Sequence, residues 1–182
     1  MSRAEQAVRP KFVRPFYPPF RHLAAIGAVA AAWTMIEATM ELTILGLHEI
    51  DQGRGLVLTN NIGFLARLSL LRILANEGAI ADKSQAKEML EILKRVERGY
   101  GDRNALVHGL WVKGKATGVI RRMAVRTRKN KLQTYADDFS SDRLWEVVAE
   151  TRALEAEFAD LAARMHVWEK LESAPRHSAA TK

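Results

Sequence analysis

The chain has 182 residues, 48% of them apolar, no cysteine, and a formal charge of +7. That length supplies one soluble globular domain with a sizeable core. The missing cysteines exclude disulfides and thiolate metal sites and fit a reducing compartment, while the basic excess favours an anionic partner, nucleic acid or membrane surface, without choosing between them.

Residues 1 to about 19 hold Pro10, Pro15, Pro18 and Pro19 among several arginines. They predict an extended arm, with Phe12, Phe16 and Tyr17 as the side chains that could pin it. The most apolar run, "LAAIGAVAAAWTMI" from Leu23 to Ile36, is short against the roughly 20 residues of a membrane span, and Glu37 and Glu41 follow at once. The prolines before it are wrong for a secretory signal. The expectation is a cytoplasmic protein with no membrane partner.

The first helix is predicted from about Phe20 to Glu49, because Ile26, Val29, Trp33, Ile36, Met40, Ile44 and Leu47 recur at spacings of three and four. "DQGRG" at 51–55 is read as a break. A second helix from about Leu56 to Asn76 carries Leu58, Ile62, Leu65, Leu68, Leu71 and Ile73 on more than one side, the mark of broad burial or of an oligomer interface. Asp82 with Gln85 resembles a capping box and opens a third helix, about Lys83 to Arg98, with Met89, Leu90, Leu93 and Val96 inward. "GYG" at 99–101 is expected to loosen or end it. A short helix then runs from Asp102, a candidate N-cap, to Gly109, a candidate C-terminal stop.

Beyond Trp111 the period changes. "GVIRRMAVRTR", 118–128, alternates, with Val119, Met123 and Val125 on one side and Arg122, Arg126 and Arg128 on the other. With "KNK" as the turn and "LQTYA" as the return, a β-hairpin is predicted at about 113–136. Ser140 or Ser141 then caps a last helix, about Asp142 to Leu171, whose core side is Leu144, Val147 or Val148, Leu154, Phe158, Leu161, Met165 and Trp168. Residues 173–182 read as a frayed, disordered tail. The domain proper is 20–172, mainly α, a bundle of four to five helices with the hairpin inserted.

Chemistry concentrates in "DRNALVHGLW", residues 102–111. Asn104 and His108 are four apart and share a helix face; Arg103 lies about 140° round from His108. A long guanidinium arm covers part of that gap, or two copies of the helix face each other and each gives an arginine and a histidine. Histidine exchanges a proton near neutral pH. Arginine grips phosphate oxygens and stabilises the charge that builds on them. Asparagine orients either partner or a ribose hydroxyl. Together these groups suffice to cleave RNA without a metal, the 2′-hydroxyl attacking phosphorus to leave a 2′,3′-cyclic phosphate and a 5′-hydroxyl. The bland alternative is a salt link with a capping histidine. No cofactor is expected, and no cluster of carboxylates or histidines suggests a metal site; His48, Glu41 and Glu37 share a face that reads more simply as solvated.

"RNALVH" resembles the arginine–polar–spacer–histidine motif of the HEPN superfamily (higher eukaryotes and prokaryotes nucleotide-binding domains). "AAWTMIEATMEL" resembles that superfamily's first long helix, with an aromatic residue before a glutamate. The likeness covers about residues 20–112, and the hairpin is no part of the minimal bundle. It implies a helical bundle that dimerises, a composite cleft, and metal-independent endoribonuclease activity of the kind found in toxin–antitoxin, phage-defence or RNA-processing systems, with an antitoxin protein as a further partner. By position, Arg103 and His108 would be catalytic and Asn104 would assist. The alternative is a catalytically inactive HEPN bundle that binds RNA or a protein partner; a basic DNA-binding regulator using the hairpin is a third reading.

Glu37 falls on the apolar stripe between Trp33 and Met40. A carboxylate there needs a partner, and Arg103 is the candidate; the alternative is that Glu37 reaches water at the stripe's edge. From Arg103 to Ala136 there is no acidic residue but nine basic ones: Arg103, Lys113, Lys115, Arg121, Arg122, Arg126, Arg128, Lys129 and Lys131. Such a block could guide an RNA backbone to the motif, or simply protect a hairpin edge from pairing. Trp111 reads as a core anchor rather than a stacking platform.

Overall fold

Trp33, Phe64 and Tyr100 form the junction on which the helices are assembled. Phe64 stacks on Tyr100 with ring centroids 3.9 Å apart, and Trp33 meets both edge-on at 5.9 and 6.4 Å. In the computed structural model, residues 16–59, 61–128 and 131–174 are described, without the side chains of 54, 58 and 124–134. They form six helices, α1 (Phe20–Leu47), α2 (Gln52–Thr59), α3 (Phe64–Asn76), α4 (Lys83–His108), α5 (Ser141–Arg164) and α6 (Val167–Ser173), with three strands, β1 (Leu110–Lys113), β2 (Val119–Arg128) and β3 (Lys131–Ser140). The protein is mainly helical with a small antiparallel sheet of order β1-β2-β3.

α1 is the central helix. Val29, Trp33, Ile36, Met40 and Ile44 are buried on it as the stripe predicts, and they pack with Leu93 and Val96 of α4 and with Leu144, Phe158 and Leu161 of α5 in one core. At 28 residues α1 is long and apolar enough to cross a membrane by length and composition. The shorter run read from the sequence understated this, because the helix continues through its polar residues; its inward residues form the core of the bundle.

Several boundaries differ from the sequence reading. The break read at "DQGRG" is present but falls earlier, over residues 48–51: α2 already starts at Gln52, and the Gly55 amide donates to the Asp51 carbonyl at 2.8 Å. Gly55 is there for space, because a Cβ would collide with the Leu45 side chain. The single helix expected over 56–76 is two helices, divided where Gly63 adopts an extended conformation before α3. Leu65 and Ile73 stand on the outer face of α3, 59% and 53% exposed. Thr59 and Arg67 both reach Glu41, the arginine at 3.7 Å, and lock α2 and α3 to α1.

Asp82 caps α4 by accepting from the Ser84 and Gln85 amides at 2.7 and 3.3 Å. The reciprocal half of a capping box is missing, since Gln85 Nε2 donates instead to the Arg164 carbonyl. "GYG" neither ends nor loosens α4. The cost of two helical glycines, about 1 kcal/mol each, is offset because Tyr100 stacks on Phe64 and Gly99 lies against the indole of Trp33. Asp102 is therefore mid-helix, not an N-cap.

Ser140 caps α5 by accepting from the Arg143 amide at 3.1 Å. The last helix is interrupted at His166, whose φ of 55° is left-handed, and α6 follows. Phe16 packs on the core and Pro18 is buried, but Tyr17 is 85% exposed and pins nothing; Phe12 lies outside the described residues. At the other end Ser173 closes α6 and Ala174 is buried, so neither belongs to a frayed tail; residues 175–182 lie outside the described ones.

Candidate functional site

α4 carries the whole motif. Because the helix is continuous to His108, Arg103, Asn104 and His108 hold fixed helical positions on one rigid element. Arg103 Nη1 donates to Asn104 Oδ1 at 2.8 Å, and its Nη2 stands 4.0 Å from Glu37 Oε1. The expected Glu37–Arg103 partnership is thus present at the long limit of an ion pair, with Arg103 more enclosed (20% exposed) than Glu37 (30%). Arg103 Nε is buried without a hydrogen-bond partner.

His108 is brought to a different place. It is the last residue of α4, is exposed, and has no side-chain hydrogen bond or ion pair among the described residues. Arg103 lines a groove between α1, α4 and α5 with a volume of about 400 Å3, and His108 does not. The guanidinium arm reaches Asn104 and Glu37.

Gly109 ends α4, but not through a left-handed residue: its φ and ψ are −68° and 147°. Its requirement is space. A Cβ there would run into the Ala105 carbonyl and sit 2.8 Å from Arg122 Cγ. The chain turns straight into β1, and the sheet folds back on the helix end. Trp111 Nε1 donates to the Leu106 carbonyl at 3.2 Å, and its ring meets Phe139 edge-on at 5.6 Å. Trp111 is an anchor, as its position suggested.

The sheet settles which of the two faces read from the alternation is covered. The predicted hairpin is present as β2 and β3, with β1 added as a third strand, and the register aligns Trp111, Arg122 and Asp137 in one row and Lys113, Ile120 and Phe139 in the next row on the same face. Ile120, 1% exposed, is the inward residue, whereas Val119 and Met123 are only half-buried. Arg122 shares the face of Ile120. Its aliphatic stem covers Gly109 and its guanidinium lies 5.6 Å from the centre of the Phe139 ring, which is how an arginine occupies an inward position.

The basic block is also partly neutralised. Asp137 and Asp138 lie just beyond its acidic-free span, and the register carries them back beside Arg122 and Arg121. Asp138 accepts from Arg121 through both carboxylate oxygens at 2.6 Å, and Asp137 pairs with Arg122. The Arg121 guanidinium holds the Asp138 carboxyl below its ordinary range. Lys113 and Lys115 are exposed with no ion pair among the described residues. Arg126 and Arg128 lie on β2 and Lys131 opens β3, but their side chains fall outside the described set, as does Lys129 altogether.

Among the described residues no three His, Asp or Glu side chains are grouped to hold a metal ion, and Glu41 is committed to Arg67 and Thr59. The sequence reading missed Arg95, Arg98 and Arg143, which line the groove together with Arg103. The signal was available in part: residues 95, 99 and 103 follow each other at helical spacing, so the two arginines and Gly99 share one face of α4. Arg143 could not be placed without the tertiary fold.

The chain matches no family model, no curated protein and no solved structure.

Proposed function

We propose that this protein is a metal-independent endoribonuclease of HEPN type, working as a homodimer with a composite active site. The observation that carries the reading is an exposed imidazole, His108, closing the same rigid helix that holds Arg103 against Asn104 and Glu37. Arg103 lines the groove and His108 does not, so a second subunit is proposed to bring the two together, and the exposed Leu65 and Ile73 on α3 offer an apolar face for association.

In this mechanism His108 acts as acid or base. As the base it takes the 2′-hydroxyl proton, and O2′ forms its bond to phosphorus as the bond to O5′ breaks. A proton from imidazolium then completes the 5′-hydroxyl product, and the other product is the 2′,3′-cyclic phosphate. Arg103 stabilises the charge on the non-bridging oxygens, Asn104 fixes the guanidinium, and Glu37 limits where it can swing. Lys113 and Lys115 steer the RNA backbone. A role as a cytoplasmic toxin or defence protein restrained by an antitoxin protein is compatible with such an activity.

The test is incubation with RNA in excess EDTA, comparing wild type with His108→Ala. The proposal requires cleavage to cyclic-phosphate ends by the wild type alone, with a DNA strand of the same sequence left intact. Cleavage that needs a divalent ion, or that survives in the variant, overturns it. RNA binding without cleavage by either protein would instead support the catalytically inactive HEPN bundle.

A further inference from the structure

We propose that the groove between α1, α4 and α5 binds the phosphodiester backbone of single-stranded RNA beside the bond that is cut. The choice of RNA as occupant rests on the ribonuclease reading; the groove's affinity for phosphate does not.

The groove is built by two antiparallel helices. Arg95 of α4 pairs with Glu157 of α5 at 2.5 Å, and about two turns away Glu88 of α4 pairs with Arg164 of α5 at 2.6 Å. Advancing seven residues along α4 therefore retreats seven along α5, and the two helices run side by side towards Arg103. Beneath the groove lie Trp33, Val29 and Leu154, all buried in the core, with Val147 of α5 partly exposed beside them. Gly99 keeps the groove open: a side chain there would start 3.0 Å from the indole and project into the space.

Four arginines stand around this groove: Arg95, Arg98, Arg103 and Arg143. Their carboxylate neighbours divide them. Arg95 is tied to Glu157, and Arg143 to Glu146 at 2.7 Å and Glu150 at 3.6 Å. Arg98 is exposed and has no ion pair among the described residues, and Arg103 has only its long contact to Glu37 and an unpartnered Nε. Asp102 and Glu150 also line the groove, leaving two more guanidinium groups than carboxylates on its walls. From Arg95 to Arg103 the helix advances about 12 Å, more than one phosphate group can bridge. Guanidinium forks spread over that length suit a chain that repeats phosphates along its backbone. An acidic protein segment would satisfy the same arginines and is the alternative outcome of the test.

The experiment measures fluorescence anisotropy of the full chain with a labelled single-stranded RNA whose 2′-hydroxyls are all methylated, so that it cannot be cleaved. Arg98→Glu is compared with Arg152→Glu, an exposed α5 position outside the groove that makes the same change in net charge. The groove predicts a Kd raised on the order of tenfold for Arg98→Glu, with a shallower salt dependence, and a change under about twofold for Arg152→Glu. Equal losses in both, or none in either, overturn the proposal. So does failure of the wild type to bind this RNA while it binds a polyglutamate peptide in an Arg98-dependent way. If Arg98-dependent binding is found but unmodified RNA is never cut, the groove stands and the nuclease reading falls. If RNA is cut and Arg98→Glu alters neither Kd nor kcat/KM, the nuclease stands and the groove falls.

Discussion

Arg103 and His108 stand five residues apart on one uninterrupted helix and face different surroundings: the arginine lines the groove against α1 and α5, and the histidine is exposed at the helix end. The separation is fixed by the helical repeat and by the contacts that hold Arg103 to Asn104 and Glu37. In the proposed composite site a second copy of the helix brings both groups to one phosphate, and this gives the account its sharpest test.

The helix end itself depends on close packing. Gly109→Ala places a methyl against the Ala105 carbonyl and the Arg122 stem. Since the backbone carbonyl cannot move without unwinding the last turn, a loss of about 1–3 kcal/mol is expected. Denaturant unfolding measures it. Full recovery by a second change, Arg122→Ala, would place the clash on the arginine stem rather than on the carbonyl.

Glu41 and Arg67 are each only 12% exposed. Glu41→Ala leaves the guanidinium without its carboxylate and Thr59 with only the Gly55 carbonyl as acceptor, at a cost of about 3–5 kcal/mol. Glu41→Gln keeps an acceptor for Thr59 and should cost less. Thermal unfolding of the two variants gives the order; equal melting temperatures would contradict the network.

The β2–β3 pair should loosen in acid. Because the hydrogen bonds from Arg121 hold the Asp138 carboxyl below its ordinary value, its contribution is complete above the ordinary carboxylate range and is lost as pH falls through the depressed value. Asp138 is exposed, so the effect is local. Amide exchange near Arg121 and Asp138, corrected for intrinsic rates, should quicken on going from neutral pH to strongly acidic conditions. An identical pH profile in Arg121→Gln would contradict this assignment.

The same pairing ranks the basic residues for RNA binding. Lys113 and Lys115 are unencumbered, while Arg121 and Arg122 are held by aspartates. Lys113→Ala with Lys115→Ala should lower the slope of log affinity against log salt by about 1.4, at about 0.7 per single-strand phosphate contact. Arg121→Gln should lower it by less than either lysine change alone. A larger effect from Arg121 would reverse the ranking.

Much of the helical frame was legible. The stripe from Val29 to Ile44, the Asp82 cap and the Ser140 cap each depend on local spacing, which a sequence displays directly. Glycines were misread. Gly55, Gly99 and Gly101 look like breakers in isolation, yet each lies within a helix, and Gly55 and Gly99 give room to Leu45 and Trp33, residues distant in sequence. The covered sheet face was not legible for a related reason: alternation identifies two faces, but only the register with β1 and β3 tells which one is covered. Asp137 and Asp138 fell just outside the basic span and were invisible as partners until that register was known. In the candidate site, Arg103 with Glu37 could be anticipated because a carboxylate on an apolar stripe needs a cation. Arg143 could not, since nothing in a linear chain says that α5 returns antiparallel to α4.

The measurement that bears most directly on the composite site is subunit complementation. Arg103→Ala and His108→Ala are purified separately, each inactive on RNA in EDTA, then mixed and allowed to exchange subunits. In a two-fold dimer whose sites take the arginine from one chain and the histidine from the other, each mixed dimer has one intact site, so the mixture should recover roughly a quarter of the wild-type rate. No recovery after exchange has been verified by mass spectrometry would contradict the account.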